Sequence, residues 1–136
     1  MKIDIKRCLM AACTMFFTLA ATAANTPKTI YVYGFAASFN DSTVYFTELQ
    51  QLDSAYVDSK TKFLYGRENY SYQFQDYLDQ QGWKHAVCVT SYGLTKKEAE
   101  KKFFNLRKKY VDKGKFDIKY LKSSDFSFQA IKPEDN

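Results

Sequence analysis

An alternating run from Thr29 to Phe39 restricts the fold more than any other segment of the chain. Successive side chains of a β-strand point to opposite faces, so residues two apart share a face. One face of the run is mostly aromatic and consists of Tyr31, Tyr33, Phe35, Ala37 and Phe39. The other face is small enough to lie under a helix or close to another backbone, and it consists of Ile30, Val32, Gly34, Ala36 and Ser38. The sequence therefore predicts a strand over residues 29–39.

The segments that follow alternate between strand and helix patterns. Asn40-Asp41-Ser42 has turn composition, and Thr43 to Leu49 has the β-branched and aromatic residues of a returning strand, so the two strands are predicted to form a hairpin. A first helix is predicted to end at Gly82, and its apolar stripe consists of Tyr70, Phe74, Tyr77 and Leu78. Trp83 to Tyr92 is predicted as the third strand.

A second helix is predicted from its start and stop signals. Thr95 and Glu98 form a capping box, and Gly114 closes the helix. The apolar stripe of this helix consists of Ala99, Phe103, Leu106 and Tyr110. Residues 116–120 alternate as a fourth strand, so strand, helix and strand are expected to form a βαβ unit with parallel strands. Residues 126–130 alternate again as an optional edge strand.

The element order β-β-α-β-α-β-(β) predicts the α+β class, as a two-layer sandwich with two helices on one face of a mixed β-sheet. Residues 50–66 are assigned only a possible short hairpin, because Asp58-Ser59-Lys60-Thr61 interrupts apolar residues like a turn.

Residues 1–24 have the pattern of a cleaved signal peptide. Lys2, Lys6 and Arg7 precede an uncharged, largely apolar stretch, and Ala21-Thr22-Ala23 matches an A-x-A cleavage site. Residues 25–136 are then expected to form a single small α+β domain.

Two membrane-bound alternatives fit the leader less well. Threonines dilute the apolar stretch that a transmembrane anchor would need. A lipid anchor at Cys13 would need the apolar stretch before the cysteine, whereas most of it follows. We therefore expect an exported protein, periplasmic, surface-bound or secreted, with no transmembrane span after cleavage.

Signal cleavage would leave Cys88 as the only cysteine, so the mature chain can form no internal disulfide. The only histidine is His85, and a separation of three residues along one strand places the two side chains on opposite faces. A thiolate nucleophile needs a base beside it, so the pair does not favour nucleophilic catalysis. We interpret Cys88 as a small buried hydrophobic residue, with a reactive thiol as the alternative.

No catalytic, cofactor-binding or metal site is predicted. One histidine and one mature cysteine are too few for a zinc site, and no calcium-loop, P-loop or GxGxxG spacing occurs. Asp76 and Asp79 are three residues apart on the first helix, but neighbouring glutamines indicate a solvated face rather than general acid–base catalysis. Asp53-Ser54-Ala55 resembles a three-residue O-glycosylation acceptor and also suits a turn.

Charge is distributed unevenly along the mature chain. Residues 25–83 contain 4 basic and 7 acidic residues, a net charge of −3, whereas residues 84–136 contain 13 basic and 7 acidic residues, a net charge of +6. The second helix contributes a possible face for an anionic partner, made of Lys97, Lys101, Lys102, Lys108 and Lys109. A solvated face is the alternative. Export favours an envelope glycan, an anionic lipid or an acidic protein as the partner, and not nucleic acid.

Aromatic residues are unusually frequent, with 11 Tyr, 12 Phe and 1 Trp in the whole chain. A large core explains most of them, while Tyr72 lies off the stripe of the first helix and suggests a tyrosine-rich platform for a sugar or a protein. The function predicted from these features is an exported, non-enzymatic interaction module. The alternative is a small carboxylate-dependent hydrolase, or an inhibitor of an envelope hydrolase.

Three segments, Tyr33 to Thr47, Arg67 to Gln73 and Lys96 to Phe104, resemble a family of short exported bacterial proteins of unknown function. This resemblance implies export and a small single domain, and it implies no activity, ligand or site residues. The last βαβ unit also resembles, at the level of fold alone, the ferredoxin-like SPOR modules that bind cell-wall glycan.

Overall fold

A computed structural model describes residues 24–134, which form five strands and two helices. In chain order these are β1 Asn25–Ala37, β2 Thr43–Thr47, β3 Gln50–Asp58, α1 Arg67–Gln80, β4 Val87–Gly93, α2 Lys96–Lys113 and β5 Asp117–Leu121. The α+β class with a mixed sheet and two helices is confirmed. Residues 1–23 of the predicted signal peptide lie outside the described residues. Neither helix in the described range combines the length and apolar character that crossing a membrane requires.

The long strand β1 forms the centre of the sheet. It pairs antiparallel with β4 over Tyr31 to Ala37, with β3 over Asn25 to Val32, and with β2 over Phe35 to Ala37. Because β4 pairs with β1 residues that also pair with β2 and β3, β2 and β3 share the opposite edge of β1. The fifth strand, β5, pairs parallel with β2. It follows that β4 and β5 run in the same direction, as the βαβ prediction requires, with β1 and β2 between them.

The two helices lie on opposite faces of the sheet, whereas the sequence interpretation placed them on one face. The small face of β1 packs against α1, where Gly34 approaches the rings of Phe74 and Phe128. The aromatic face packs against α2, where Tyr33 contacts Phe103. Both faces of β1 are therefore covered, which explains why aromatic residues occur on both sides of the first hairpin.

One more strand precedes the first helix than the sequence predicted. Residues 50–58, for which the sequence indicated only a possible short hairpin, form β3. This strand continues along the edge of β1 after a break at Glu48 and Leu49. The possible hairpin in this segment is present in minimal form, as a single antiparallel bridge between Val57 and Leu64. Alternation in β3 is hard to recognise from sequence because its pairing with β1 contains a register shift.

The prediction of an optional edge strand at residues 126–130 is wrong. Phe126 and Phe128 are buried against α1, so the alternating burial pattern is correct, but the backbone here pairs with side chains instead of another strand. The side-chain amide of Gln50 donates to the carbonyl of Phe126 (2.9 Å) and accepts from the N–H of Phe128 (2.8 Å). The side-chain amide of Gln73 likewise donates to the carbonyl of Gln129 and accepts from the N–H of the same residue.

The predicted third strand begins later than expected. Residues 83–86 are not in a strand, Lys84 and His85 form a turn, and β4 starts at Val87. His85 has a left-handed backbone with φ 66°, so it belongs to a turn and not to a strand face. Both predicted helix stops are confirmed, because Gly82 and Gly114 have the positive φ values of residues that end helices.

Candidate functional site

Helix α2 begins and packs as its sequence predicts. The Oγ1 atom of Thr95 accepts a hydrogen bond from the N–H of Glu98 at 3.2 Å, which caps the first turn. Close packing places this end of the helix against β4, since a β-carbon on Gly93 would lie 2.7 Å from the backbone nitrogen of Ala99. The predicted apolar stripe faces the sheet, with Ala99 fully buried and three half-buried residues, Phe103, Leu106 and Tyr110.

Aromatic contacts hold α2 on the sheet. The ring of Phe103 packs edge-on against Tyr33, with centroids 5.2 Å apart, and lies 5.7 Å from Phe46. Near the other end of the helix, the ring of Tyr110 lies 4.9 Å from that of Phe35. Contacts of this kind add to the free energy gained by burying the rings. They fix which side of α2 faces water.

The water-facing side of α2 is basic. Lys97, Lys101 and Lys108 are exposed and, at 3.6 residues per turn, lie opposite the buried stripe. Within residues 24–134 none of the three forms an ion pair. Lys109 is also exposed and unpaired in that range, but its helical position is closer to the side that faces β4.

Lys102 has a different environment from the other predicted lysines. Its Nζ donates to the backbone carbonyl of Tyr92 at 2.8 Å, lies 5.5 Å from the centre of the Tyr92 ring, and is 3.6 Å from a carboxylate oxygen of Glu98. Arg67 makes a similar bond from Nε to the backbone carbonyl of Thr90, two residues earlier in β4. The two cations occupy acceptors on the open edge of β4, so Lys102 has a structural role there.

A groove runs along the flank of α2 that faces β3 and β5. Its first part is a cavity of about 360 Å³ lined by Tyr31, Leu49, Gln51, Lys96, Glu100, Phe103 and Phe104. Its second part is a cavity of about 280 Å³ lined by Phe104, Arg107, Lys108 and Val111. Phe104 lines both cavities, and the lining of the second consists of α2 residues alone. We call the two together the flank groove.

Cations border the flank groove along its length. In the first cavity, Nζ of Lys96 lies 4.0 Å from a carboxylate oxygen of Glu100, and both side chains are in contact with water. In the second, the guanidinium of Arg107 lies 5.9 Å from the centre of the Tyr120 ring, which holds it on the β5 side. Sequence reasoning included Lys108 in the basic face but missed Tyr31 and Gln51. The available signal was Phe104, an aromatic residue outside the apolar stripe, which is 54% exposed.

A separate cavity of about 290 Å³, which is not part of the flank groove, lies at the open edge of β4, on the other flank of α2. Its lining includes Lys62, Arg67, Tyr92, Glu98 and Lys102. The hydroxyl of Tyr92 is already bonded, since it accepts from the N–H of Leu64 and donates to the carbonyl of Lys62. Lys62 also donates from Nζ to the carbonyl of Ser59. Most polar groups of this cavity therefore have partners within the protein.

The residues considered for catalysis are not brought together. Cys88 is half-buried rather than fully buried, and burial raises the pKa of its thiol to about 11, with a further contribution from the negative charge of Asp79. His85 is exposed in its turn, so the two residues do not lie on opposite faces of one strand as predicted. A thiol with so high a pKa is almost fully protonated at neutral pH, which makes it a poor nucleophile.

The remaining candidates are surface features. Asp76 and Asp79 are exposed on α1, which agrees with a solvated face, and no group of three or more potential metal ligands occurs among residues 24–134. Tyr72 is 55% exposed, as its position off the stripe predicts. Ser54 is exposed, but it lies in β3 and not in a turn.

Comparison with protein-family models, curated proteins and solved structures finds no match to this chain. The resemblances noted in the sequence therefore stay predictions, and the function has to be argued from the chain's own residues.

Proposed function

We propose that this protein is an exported, non-enzymatic interaction module that binds an anionic partner at the bacterial envelope through the outer face of α2. The observation on which the proposal depends is the row Lys97, Lys101 and Lys108, exposed and without ion pairs within the described residues. The helix as a whole has eight basic and three acidic residues. Export is inferred from the signal-peptide pattern of residues 1–24.

The position of these lysines is fixed by packing that does not involve their charges. The opposite side of α2 is held by Phe103 and Tyr110, which pack on aromatic residues of β1. A charged side chain on a rigid helix attracts an opposite charge without the cost of ordering the backbone. The outer face is therefore a preformed cationic surface.

The magnitude of the attraction shows what the lysines can do alone. A lysine close to an anionic surface contributes about 1 kcal/mol at physiological ionic strength. Three such lysines supply about 3 kcal/mol, which corresponds to a dissociation constant weaker than about 1 mM. The outer face is therefore sufficient for recruitment to a densely charged polymer or membrane, while tighter binding needs further contacts.

The alternative of a carboxylate-dependent hydrolase has less support. Such an enzyme needs two carboxylates facing each other across a cleft. Beside α2, a single carboxylate, that of Glu100, lines the flank groove, and a single carboxylate, that of Glu98, lines the cavity at the β4 edge. Asp76 and Asp79 are exposed on α1, on the other side of the sheet.

The proposal is tested by reversing the three charges together. The purified chain is passed over three supports that bear polygalacturonate, polyglutamate or phosphatidylglycerol vesicles, each over a series of salt concentrations. We expect retention on at least one support, and we expect Lys97→Glu/Lys101→Glu/Lys108→Glu to abolish it. Retention should fall as salt rises, because screening acts over about 8–10 Å near physiological ionic strength.

A matched control separates position from total charge. Lys28, Lys84 and Lys132 are exposed and lie outside α2, so reversing all three changes the net charge by the same amount. We expect this control to keep most of the retention. Equal losses in the two triple variants would show that only net charge matters, and absence of retention of the unaltered chain on all three supports would overturn the proposal.

A further inference from the structure

The flank groove combines an aromatic wall with cations, and this combination restricts the chemistry of a ligand. Tyr31, Phe103 and Phe104 line its first cavity together with the polar side chains of Gln51 and Glu100. Sugars present C–H groups on the faces of their rings and hydroxyl groups around the rim. Aromatic side chains pack against the former, and amide and carboxylate groups bond the latter.

The second part of the groove adds a site for a negative charge. Arg107 and Lys108 line it with Phe104 and Val111. The planar guanidinium of arginine donates two parallel hydrogen bonds to a carboxylate, which is a geometry that lysine cannot provide. A chain molecule that occupies both cavities would place one unit against the aromatic wall and the carboxylate of the next unit against Arg107.

We propose that the flank groove binds a segment of an acidic polysaccharide, with a sugar ring against Phe104 and a uronate carboxylate on Arg107 and Lys108. This inference rests on the proposed function, for which it names the class of partner. The outer lysines Lys97 and Lys101 attract the polymer, and the groove supplies the short-range contacts that the lysines lack.

Dimensions of the groove agree with a carbohydrate. Small-molecule sites have volumes of about 300–1,000 Å³, and the first cavity, about 360 Å³, is at the lower end of this range. The second cavity shares Phe104 with the first and is lined by later residues of α2, which gives a linear polymer two places to bind along the helix.

A membrane fits the same surface less well. Insertion into a bilayer requires protruding apolar side chains close to the basic residues. The two most exposed aromatic residues, Phe39 and Phe63, both lie outside α2, whereas the exposed apolar residues of α2, Phe104 and Val111, line the flank groove. Charge complementarity and concavity together favour an acidic glycan over a lipid surface.

The test compares defined oligomers by isothermal titration calorimetry. Oligogalacturonate and oligomannuronate are the acidic probes, a neutral maltooligosaccharide of equal length controls for the sugar ring, and polyglutamate controls for charge. We expect binding of at least one acidic oligomer and much weaker binding of the neutral oligomer and of polyglutamate.

Variants in the groove then separate it from the outer lysines. Phe104→Ala and Arg107→Gln should each weaken binding of the acidic oligomer about tenfold, which is the size of effect expected for a lost aromatic or charge-assisted contact. Phe63→Ala removes an aromatic ring that is 70% exposed in the turn region before α1, and it should leave binding unchanged. Circular dichroism confirms that each variant keeps its fold.

The outcomes distinguish this inference from the proposed function. If Phe104→Ala and Arg107→Gln bind the acidic oligomers normally while the triple lysine reversal does not, the proposal that the groove binds the ligand is overturned. The proposed function, binding of an anionic partner by the outer face of α2, then still holds. If phosphatidylglycerol vesicles or polyglutamate bind but neither acidic oligomer does, an acidic polysaccharide is rejected as the partner, and a membrane or an acidic protein is favoured instead. If none of these probes binds, both proposals fail.

Discussion

Gly34 lies so close beneath the ring of Phe74 that a β-carbon built on Gly34 would be 2.7 Å from Cδ2 of Phe74. Real β-carbons do not approach other atoms this closely, and the ring of Phe128 is the next neighbour, at 3.1 Å. Glycine at this position of β1 therefore permits α1 to pack directly on the centre of the sheet. The same strand presents its large residues to α2 on the other face.

The first prediction concerns this contact. Gly34→Ala should lower the free energy of unfolding by about 1–3 kcal/mol, because both neighbouring rings are packed and cannot move without strain. Denaturation in urea measures the change. In a Phe74→Leu background the same substitution should cost less, since the nearest ring is gone; equal costs in both backgrounds would show that the contact with Phe74 is not the cause.

The second prediction concerns the segment that imitates a strand. Gln50→Ala should destabilise the fold by about 1–3 kcal/mol, because it leaves the buried carbonyl of Phe126 and N–H of Phe128 without partners. Gln73→Ala removes the same pair of bonds from Gln129 at an exposed position, where water replaces them. Urea denaturation should show a clearly smaller effect for Gln73→Ala, and the reverse order would contradict the proposed role of Gln50.

The third prediction concerns the pH dependence of Cys88. Burial raises the pKa of the thiol from 9.0 to about 11, so at pH 8 the folded chain has about 100-fold less thiolate than an unfolded one. Alkylation by iodoacetamide should be slower by about this factor in the folded chain than in urea. Similar rates in the two states would show that the thiol is not perturbed.

The same shift in pKa affects stability at alkaline pH. Because the folded thiol binds its proton more tightly than the unfolded one, it contributes stability that is fully present below pH 9 and is lost as the pH rises through about 11. Burial also raises the pKa of Tyr70 and Tyr33, which adds to this loss above the normal tyrosine range. Urea midpoints should therefore fall between pH 9 and pH 11, and Cys88→Ala should reduce the fall.

The fourth prediction concerns the mature N-terminus. Cleavage at the predicted site leaves Ala24 or Asn25 as the first residue, and β1 begins at Asn25, which pairs with Asp58. Processing would therefore leave the central strand complete. Mass spectrometry of the protein from the cell envelope should detect this N-terminus, whereas an intact chain beginning at Met1 would contradict cleavage.

Much of the fold could be predicted from spacing because the contacts involved are local. The cap at Thr95, the stop at Gly114 and the stripe from Ala99 to Tyr110 all depend on residues within one helix, and all three are confirmed. The side on which each helix packs depends on tertiary contacts instead. The alternation of β1 showed a small face and an aromatic face, but it did not show that each face receives its own helix.

The missed features share a physical cause. Phe126 and Phe128 alternate like strand residues, yet Gln50, distant in sequence, provides the backbone partners. Tyr31 meets Phe103 and Phe104 on the flank of α2 only because β1 and α2 pack together in three dimensions. Lys102 was grouped with its neighbours by charge, and only the position of β4 shows that it bonds to Tyr92. Pairings between distant segments leave little trace in local spacing.

The measurement that tests the central claim most directly is a nuclear magnetic resonance titration of the ¹⁵N-labelled protein with oligogalacturonate. The account predicts that the largest changes in backbone amide shifts occur on the outer face and flank of α2, at Lys97, Lys101, Phe104 and Lys108, and that added salt reverses them. Changes concentrated on α1 around Tyr72, or at the β4 edge around Tyr92, would contradict the assignment of the binding face to α2.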